Sequence, residues 1–137
     1  MYIKKIIKLD KDDIDADIIV SDGKFDLLCY AWECENSVGD TNFELSPLMG
    51  HADIMTGDKR EYKIQKLEDG HFDYKLQGKL IDIEKCRGKV QIGAIVIKDV
   101  CWIPRDIKVG DYIEFTVIRL DVVKTGQWDI FNFLEKN

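Results

Sequence analysis

The chain has 137 residues, of which 45% are hydrophobic and 34% charged, and its formal net charge at pH 7 is −6. This apolar content excludes a disordered chain, and the length suits one domain with its own core. Negative charge opposes the phosphate backbone, so nucleic-acid binding is disfavoured unless a local basic patch exists. We therefore expect a single folded β domain over residues 1–137.

The first nine residues contain early lysines but lack the apolar stretch and cleavage site of a secretion signal. No apolar run approaches the roughly 20 residues needed to cross a bilayer. We expect a cytoplasmic protein that does not contact membranes. Its cysteines are then expected to be reduced thiols rather than a disulfide framework; they are Cys29, Cys34, Cys86 and Cys101.

An acidic run occupies residues 10–17, with aspartate at positions 10, 12, 13, 15 and 17. Carboxylates attract calcium, but an EF-hand loop starting at Asp13 would need glycine where Ile18 stands and glutamate where Lys24 stands. The run therefore predicts a solvated loop that leads into an edge strand. A surface for a metal or a basic partner is the alternative.

Two apolar stretches, 16–20 and 25–32, flank an Asp-Gly pair at Asp22 and Gly23. Asp-Gly suits a type I′ turn, which needs positive φ at both central residues, so these stretches predict a β-hairpin. In the second stretch apolar residues occupy both faces, which is typical of a central strand.

Residues 36–59 lose this periodicity and are rich in glycine and small polar residues, apart from a short candidate strand at 43–45. Loops of this length are often functional. We expect the 36–59 loop to contribute to a binding surface.

A second hairpin is predicted at 62–67 and 72–78, where apolar and polar residues alternate. The apolar phase shifts after Gly78, which predicts a bulge or corner there. Further strands are predicted at 89–97, in a short piece ending at 101–103, and at 112–123. Aromatic and apolar residues at three-residue spacing indicate a short helix over 127–134.

The stretch 103–115 reads as a strand end, a link with Pro104, a Gly-Asp turn and another strand. It resembles a segment that recurs in OB-fold and related small β-barrel domains, with Ile107 plugging the barrel and Gly110 permitting the reversal. The expected fold is therefore all-β and mainly antiparallel: a small OB-like barrel or sandwich of about seven or eight strands. The resemblance implies binding of oligonucleotides, oligosaccharides or proteins on the barrel face and its loops.

Catalytic and metal-binding patterns are weak in this sequence. Cys29 and Cys34 would lie about 16 Å apart on opposite faces of an extended strand, so a shared zinc ion is disfavoured. Ser46 or Cys34 could pair with His51, but no orienting group or nucleophile motif supports this. We assign no catalytic residue, metal or cofactor.

Flat rings near an arginine can stack on bases or anchor a protein contact. The candidate binding residues are Tyr30, Trp32, Trp102 and Arg105, with core packing as the alternative role of the aromatic ones.

The expected function is a non-enzymatic module that binds another protein, as an inhibitor, an immunity protein or an adaptor; a bacterial immunity or antitoxin-type inhibitor is one concrete form. One alternative is oligonucleotide or oligosaccharide binding, which needs a basic face; its candidates are Lys63, Lys66, Lys75, Arg105 and Arg119. The other alternative is a hydrolase whose site has no recognised motif.

Overall fold

A computed structural model describes residues 1–57 and 59–125. The described residues form β-strands joined by turns and loops, without a helix. The strands in chain order are β1 Tyr2–Ile7, β2 Ala16–Ser21, β3 Asp26–Ala31, β4 Glu44–Ser46, β5 His51–Thr56, β6 Lys63–Lys66, β7 Tyr74–Glu84, β8 Arg87–Ile92, β9 Ile95–Cys101, β10 Tyr112–Val117 and β11 Asp121–Val123.

All of these strands belong to one mixed, mostly antiparallel sheet in the order β1-β2-β3-β11-β4-β9-β8-β7-β10-β5, with β6 paired to β7. The parallel pairs are β3 with β11 and β4 with β9. The sheet is not closed. It does curl on itself, because Tyr74 at the start of β7 accepts a hydrogen bond from the backbone N–H of Leu28 on β3 at 2.9 Å.

A tight turn joins β2 and β3 as predicted, but it is not the type I′ turn expected at Asp22 and Gly23, because only Gly23 of that pair has positive φ. The Asp22 carboxylate accepts the backbone N–H groups of Lys24 and Phe25 at 2.9 and 2.7 Å. Gly23 has φ 93°, a conformation that glycine adopts without a side-chain clash. As expected, β3 lies inside the sheet, but β2 is not an edge strand because β1 covers it.

The long strand β7 connects several parts of the sheet. One edge pairs first with β6 and then with β8, while the other edge pairs with β10. The strand continues through Gly78, where a Cβ would lie 2.5 Å from the carbonyl oxygen of Gln91. The register shift comes later, between Leu80 and Asp82, so the corner predicted at Gly78 is displaced by a few residues.

The 103–115 segment has the local features that its resemblance implied. Ile107 is buried, Gly110 has φ 100°, and Ile113 and Phe115 on β10 are fully buried. The backbone N–H of Gly110 donates to the carbonyl of Leu80, and the N–H of Leu80 donates to the carbonyl of Asp111. These bonds fix the link against β7.

One apolar core lies within the curled sheet, and nearly every strand contributes to it. Its largest fully buried side chains are Phe115, Ile3, Ile18, Leu27, Leu45, Leu76, Leu80, Ile92, Ile95, Ile97, Ile113 and Leu120. Within the described ranges, no helix has the length and apolar character needed to span a bilayer.

The all-β prediction is confirmed, but the strands outnumber the seven or eight expected. A turn at Gly93 divides the stretch 89–97 between β8 and β9, and the stretch 112–123 is divided between β10 and β11. The 36–59 segment is not one loop, because it holds β4 and the unanticipated β5. The helix predicted at 127–134 lies outside the described residues.

Candidate functional site

The predicted binding residues do not form one face. Trp32 follows the end of β3 and Trp102 follows the end of β9. These strands run in opposite directions, with β11 and β4 between them. From the register, Trp32 and Trp102 lie roughly 20 Å apart along the strand direction at about 3.3 Å per residue.

Tyr30 belongs to an internally paired group that we call the Tyr30 cluster: Asp15, Tyr30, Arg119 and Asp121. The Tyr30 hydroxyl donates to Asp15 Oδ2 at 2.5 Å. The Arg119 guanidinium lies 4.1 Å from the centre of the Tyr30 ring and donates to both oxygens of Asp121 at 2.7 and 3.0 Å. Tyr30 also makes an edge-to-face contact with Phe72.

The electrostatics of the Tyr30 cluster favour a structural role. Burial and the bond to Asp15 raise the pKa of Tyr30 to about 12, so its hydroxyl keeps its proton at neutral pH. Burial also raises the pKa of Asp121, and the Arg119 guanidinium partly offsets this by favouring the ionised carboxylate. Because the Tyr30 hydroxyl bonds to Asp15 and its ring packs against Arg119, Tyr30 is poorly placed to contact a ligand.

Trp32 is 55% exposed and borders a small depression with Glu33, Glu35 and Lys124. Glu33 has a left-handed backbone, φ 50°, in the turn that follows β3. Trp32 therefore remains accessible at the end of the molecule that also holds the Tyr30 cluster.

Trp102 is 80% exposed, compared with 55% for Trp32. Its φ is 60°, in the left-handed region that bulky side chains rarely adopt. The indole ring has no hydrogen bond or aromatic contact with the described part of the chain. A left-handed backbone costs an L-residue on the order of 1–2 kcal/mol, so this conformation is held by its surroundings.

His51 helps to hold the backbone at Trp102 in this conformation. Because a carbonyl only accepts, His51 Nε2 donates, and its bond to the Cys101 carbonyl oxygen measures 2.8 Å. The other side of the imidazole packs edge-to-face on the buried ring of Phe115. His51 thus connects β5 to the residue directly before Trp102.

The same bond links the residue before Trp102 to a turn that carries two further exposed apolar side chains. Residues 47–50 form a tight turn, in which the Gly50 N–H donates to the Pro47 carbonyl, and its central residues Leu48 and Met49 are 44% and 56% exposed. His51 follows this turn directly. We call Leu48, Met49, His51 and Trp102 the Trp102 surface.

Charged groups support the β9 side of the Trp102 surface. Lys98 is mostly buried and lies 3.3 Å from Glu44 and 3.9 Å from Asp99. Asp99 has φ 57° and also faces Arg87 at 3.6 Å. Two left-handed residues within four positions, Asp99 and Trp102, bend the end of β9 away from regular pairing.

Arg105 is exposed in the loop after Trp102 and has no ion pair with residues 1–57 or 59–125. The other candidates for a basic face are occupied. Lys63 pairs with Glu61, Lys75 pairs with Glu114, and Lys66 donates to the carbonyls of Leu67 and Gly70. With Arg119 paired to Asp121, these contacts give little support to a continuous phosphate-binding track.

The residues considered for chemistry do not converge. Ser46 is buried, while His51 bonds to the Cys101 carbonyl and His71 bonds to Asp17 at 2.7 Å. Burial raises the pKa of both Cys29 and Cys101, which disfavours the thiolate that a nucleophile needs. In the described ranges, no three histidine, cysteine or acidic side chains are grouped to hold a metal ion.

Sequence reasoning named Trp102 and Arg105 as candidates and the 36–59 segment as a binding region, but it did not anticipate that His51 bonds to the residue before Trp102. The position of His51 depends on a bond between residues 50 positions apart, for which the local sequence holds no signal. No protein-family model, curated protein or solved structure matches this chain.

Proposed function

We propose that this chain is a non-enzymatic protein-binding module and that its partner contacts the Trp102 surface. Trp102 carries the proposal, because it is 80% exposed in a left-handed backbone. Backbone strain of this kind persists where a structure over-determines it, commonly at functional sites. Tryptophan is also among the residues that most often dominate protein contacts.

The neighbouring residues suit a protein contact better than a small-molecule site. Leu48 and Met49, in the turn directly before His51, add exposed apolar area, and methionine adapts to irregular partner surfaces. Arg105 supplies a charged group that is not used by an ion pair with the described residues. A central aromatic with apolar neighbours and a charged rim is typical of interface hot spots.

The finer proposal is an inhibitor, immunity protein or adaptor in the cytoplasm, of which a bacterial immunity or antitoxin-type inhibitor is one form. The net charge of −6 supports a basic partner, since complementary charge speeds encounter. Association should then slow as salt rises.

The test is recovery of tagged protein from its host at low salt after nuclease treatment, with companions identified by mass spectrometry. Wild type and a Val109→Ser control, which alters another exposed apolar side chain, should retain the same stoichiometric protein. Trp102→Gly should deplete it at least tenfold, in line with a hot spot worth about 2 kcal/mol or more. Equal recovery by all three variants would contradict the proposed surface.

Oligonucleotide binding is the second candidate, and one observation favours it: Trp102 offers a stacking ring close in sequence to Arg105, which has no ion pair with the described residues. Titration of tryptophan fluorescence with short single strands at low salt distinguishes it. Quenching that Trp102→Gly abolishes would support this candidate and displace the protein-binding one.

A further inference from the structure

A groove lies beside the Tyr30 cluster, between the β1–β2 loop and the hairpin that carries His71. Its apolar side is formed by Ile7, Leu9 and Ile14. Leu9 is fully exposed and Ile14 is 59% exposed. Large aliphatic side chains clustered in this way leave apolar surface in contact with water, which is typical of a docking site.

The groove is also lined by carboxylates: Asp13, Asp15 and Asp17. Asp10 and Asp12 continue the same exposed loop. Lys8 also lines the groove, but its amine donates to the backbone carbonyl of Asp13 at 3.0 Å rather than to a carboxylate. Apolar and negatively charged side chains therefore line the same groove.

Asp15, which lines this groove, has one carboxylate oxygen that accepts no hydrogen bond from the described residues. Its Oδ2 accepts the Tyr30 hydroxyl, whereas its buried Oδ1 has no hydrogen-bond partner among the described residues. A buried carboxylate oxygen without a donor costs free energy.

We infer that this groove docks a basic amphipathic segment of a partner protein, one that presents leucine-like side chains together with lysine or arginine. The apolar side chains would contact Ile7, Leu9 and Ile14, and the cationic ones would approach Asp13, Asp15 and Asp17. Charge complementarity selects this occupant over an acidic peptide or a nucleic acid, both of which the carboxylates would repel. This surface is separate from the Trp102 surface and goes beyond the proposed function.

The test uses two synthetic 14-residue amphipathic peptides, one of leucine and lysine and one of leucine and glutamate. Each is titrated into ¹⁵N-labelled full-length protein, and amide chemical shifts are followed by NMR. The basic peptide should shift amides within residues 7–17 and around His71, and its affinity should fall about tenfold between 50 and 500 mM salt, because the charges are exposed.

Two variants and one control separate the contributions. Leu9→Ser/Ile14→Ser should lower the affinity for the basic peptide about tenfold through lost apolar contact. Asp13→Asn/Asp17→Asn should lower this affinity severalfold at low salt and remove most of its salt dependence. Val38→Ser, at another exposed apolar position, should leave affinity unchanged.

Several outcomes would overturn the inference. Among them are equal binding of the acidic peptide, shifts confined to other surfaces, or no binding at millimolar peptide. Self-association that Leu9→Ser/Ile14→Ser abolishes, measured by sedimentation, would assign the groove to a second copy of this chain instead. Because none of these readouts involves Trp102, failure here leaves the proposed function standing.

Discussion

The Tyr30 cluster and the Trp102 surface differ in how their polar and aromatic groups are used. Tyr30 bonds to Asp15, Arg119 bonds to Asp121, and Arg119 also packs on the Tyr30 ring, so these four side chains contact one another within the fold. Trp102 is exposed and strained, and its ring has no such partner among the described residues. Substitutions in the first region should therefore change stability, whereas substitutions at Trp102 should change binding.

The largest expected effect on stability is that of Arg119→Ala. Asp121 is 6% exposed and would lose the guanidinium that donates to both of its carboxylate oxygens. Loss of one partner of a buried pair costs about 3 kcal/mol or more, and we expect about 3 because Arg119 itself is partly exposed. Urea unfolding measures this free energy, and adding Asp121→Asn should recover part of the loss. A change below about 0.5 kcal/mol would contradict the structural role of the Tyr30 cluster.

Tyr30→Phe should cost about 1–2 kcal/mol at neutral pH, because Asp15 loses its only described donor. The pH dependence adds a second readout. The pKa of Tyr30 is about 12 in the fold and about 10 in an unfolded chain. Its contribution is fully present below pH 10 and is lost as pH rises through 12.

Urea unfolding at a series of alkaline pH values checks this. Wild type should lose more stability between pH 10 and 12 than Tyr30→Phe, since the tyrosines common to both proteins cancel in the comparison. Parallel losses in the two proteins would show that the Tyr30 hydroxyl titrates freely.

His51→Ala should cost about 1 kcal/mol, since it removes one hydrogen bond and a ring contact with Phe115. It should also loosen the backbone at Trp102, which a lower heteronuclear NOE of the Trp102 amide would report. His71→Ala is the matched control: that ring is 64% exposed, and exposed ion pairs contribute little. An unchanged Trp102 amide in His51→Ala would show that His51 does not hold this bend.

The smallest effect, with the opposite sign, is expected for Trp102→Gly. Glycine accepts φ 60° without the clash that a Cβ causes, so stability should rise by about 0.5–1 kcal/mol. Trp102→Ala keeps the Cβ and should not show this gain. A loss of 1 kcal/mol or more in Trp102→Gly would mean that the indole supports the core.

Local chemistry explains which elements were predictable. In the β2–β3 turn, the Asp22 carboxylate accepts nearby backbone N–H groups and Gly23 adopts the positive φ that the turn needs. Gly110 and Ile107 likewise behave as their local pattern indicated. Such features depend on neighbours within a few residues, and a single sequence displays them.

The missed elements depend on distant partners. Among the described strands β5 pairs only with β10, and it is bulged, with Asp53 at φ 58° and a register shift between Glu114 and Thr116, so its sequence does not alternate. Gly93 divides an apolar run whose two halves are both buried, so periodicity could not reveal the turn.

The predicted binding residues have different environments for the same reason. The aromatic residues looked equivalent in sequence, yet Tyr30 contacts Asp15 and Arg119, whereas Trp102 directly follows the end of β9. The sequence does not show that β3 and β9 run in opposite directions, which places Trp32 and Trp102 at different ends of the sheet.

The most direct test of the Trp102 surface is site-specific photocrosslinking in the host cell, with benzoylphenylalanine at position 102 and, as a control, at the exposed position 38. Position 102 is expected to yield one discrete protein adduct that position 38 does not. Absence of an adduct at 102, or the same adducts from both positions, would contradict the proposal that Trp102 contacts a protein partner.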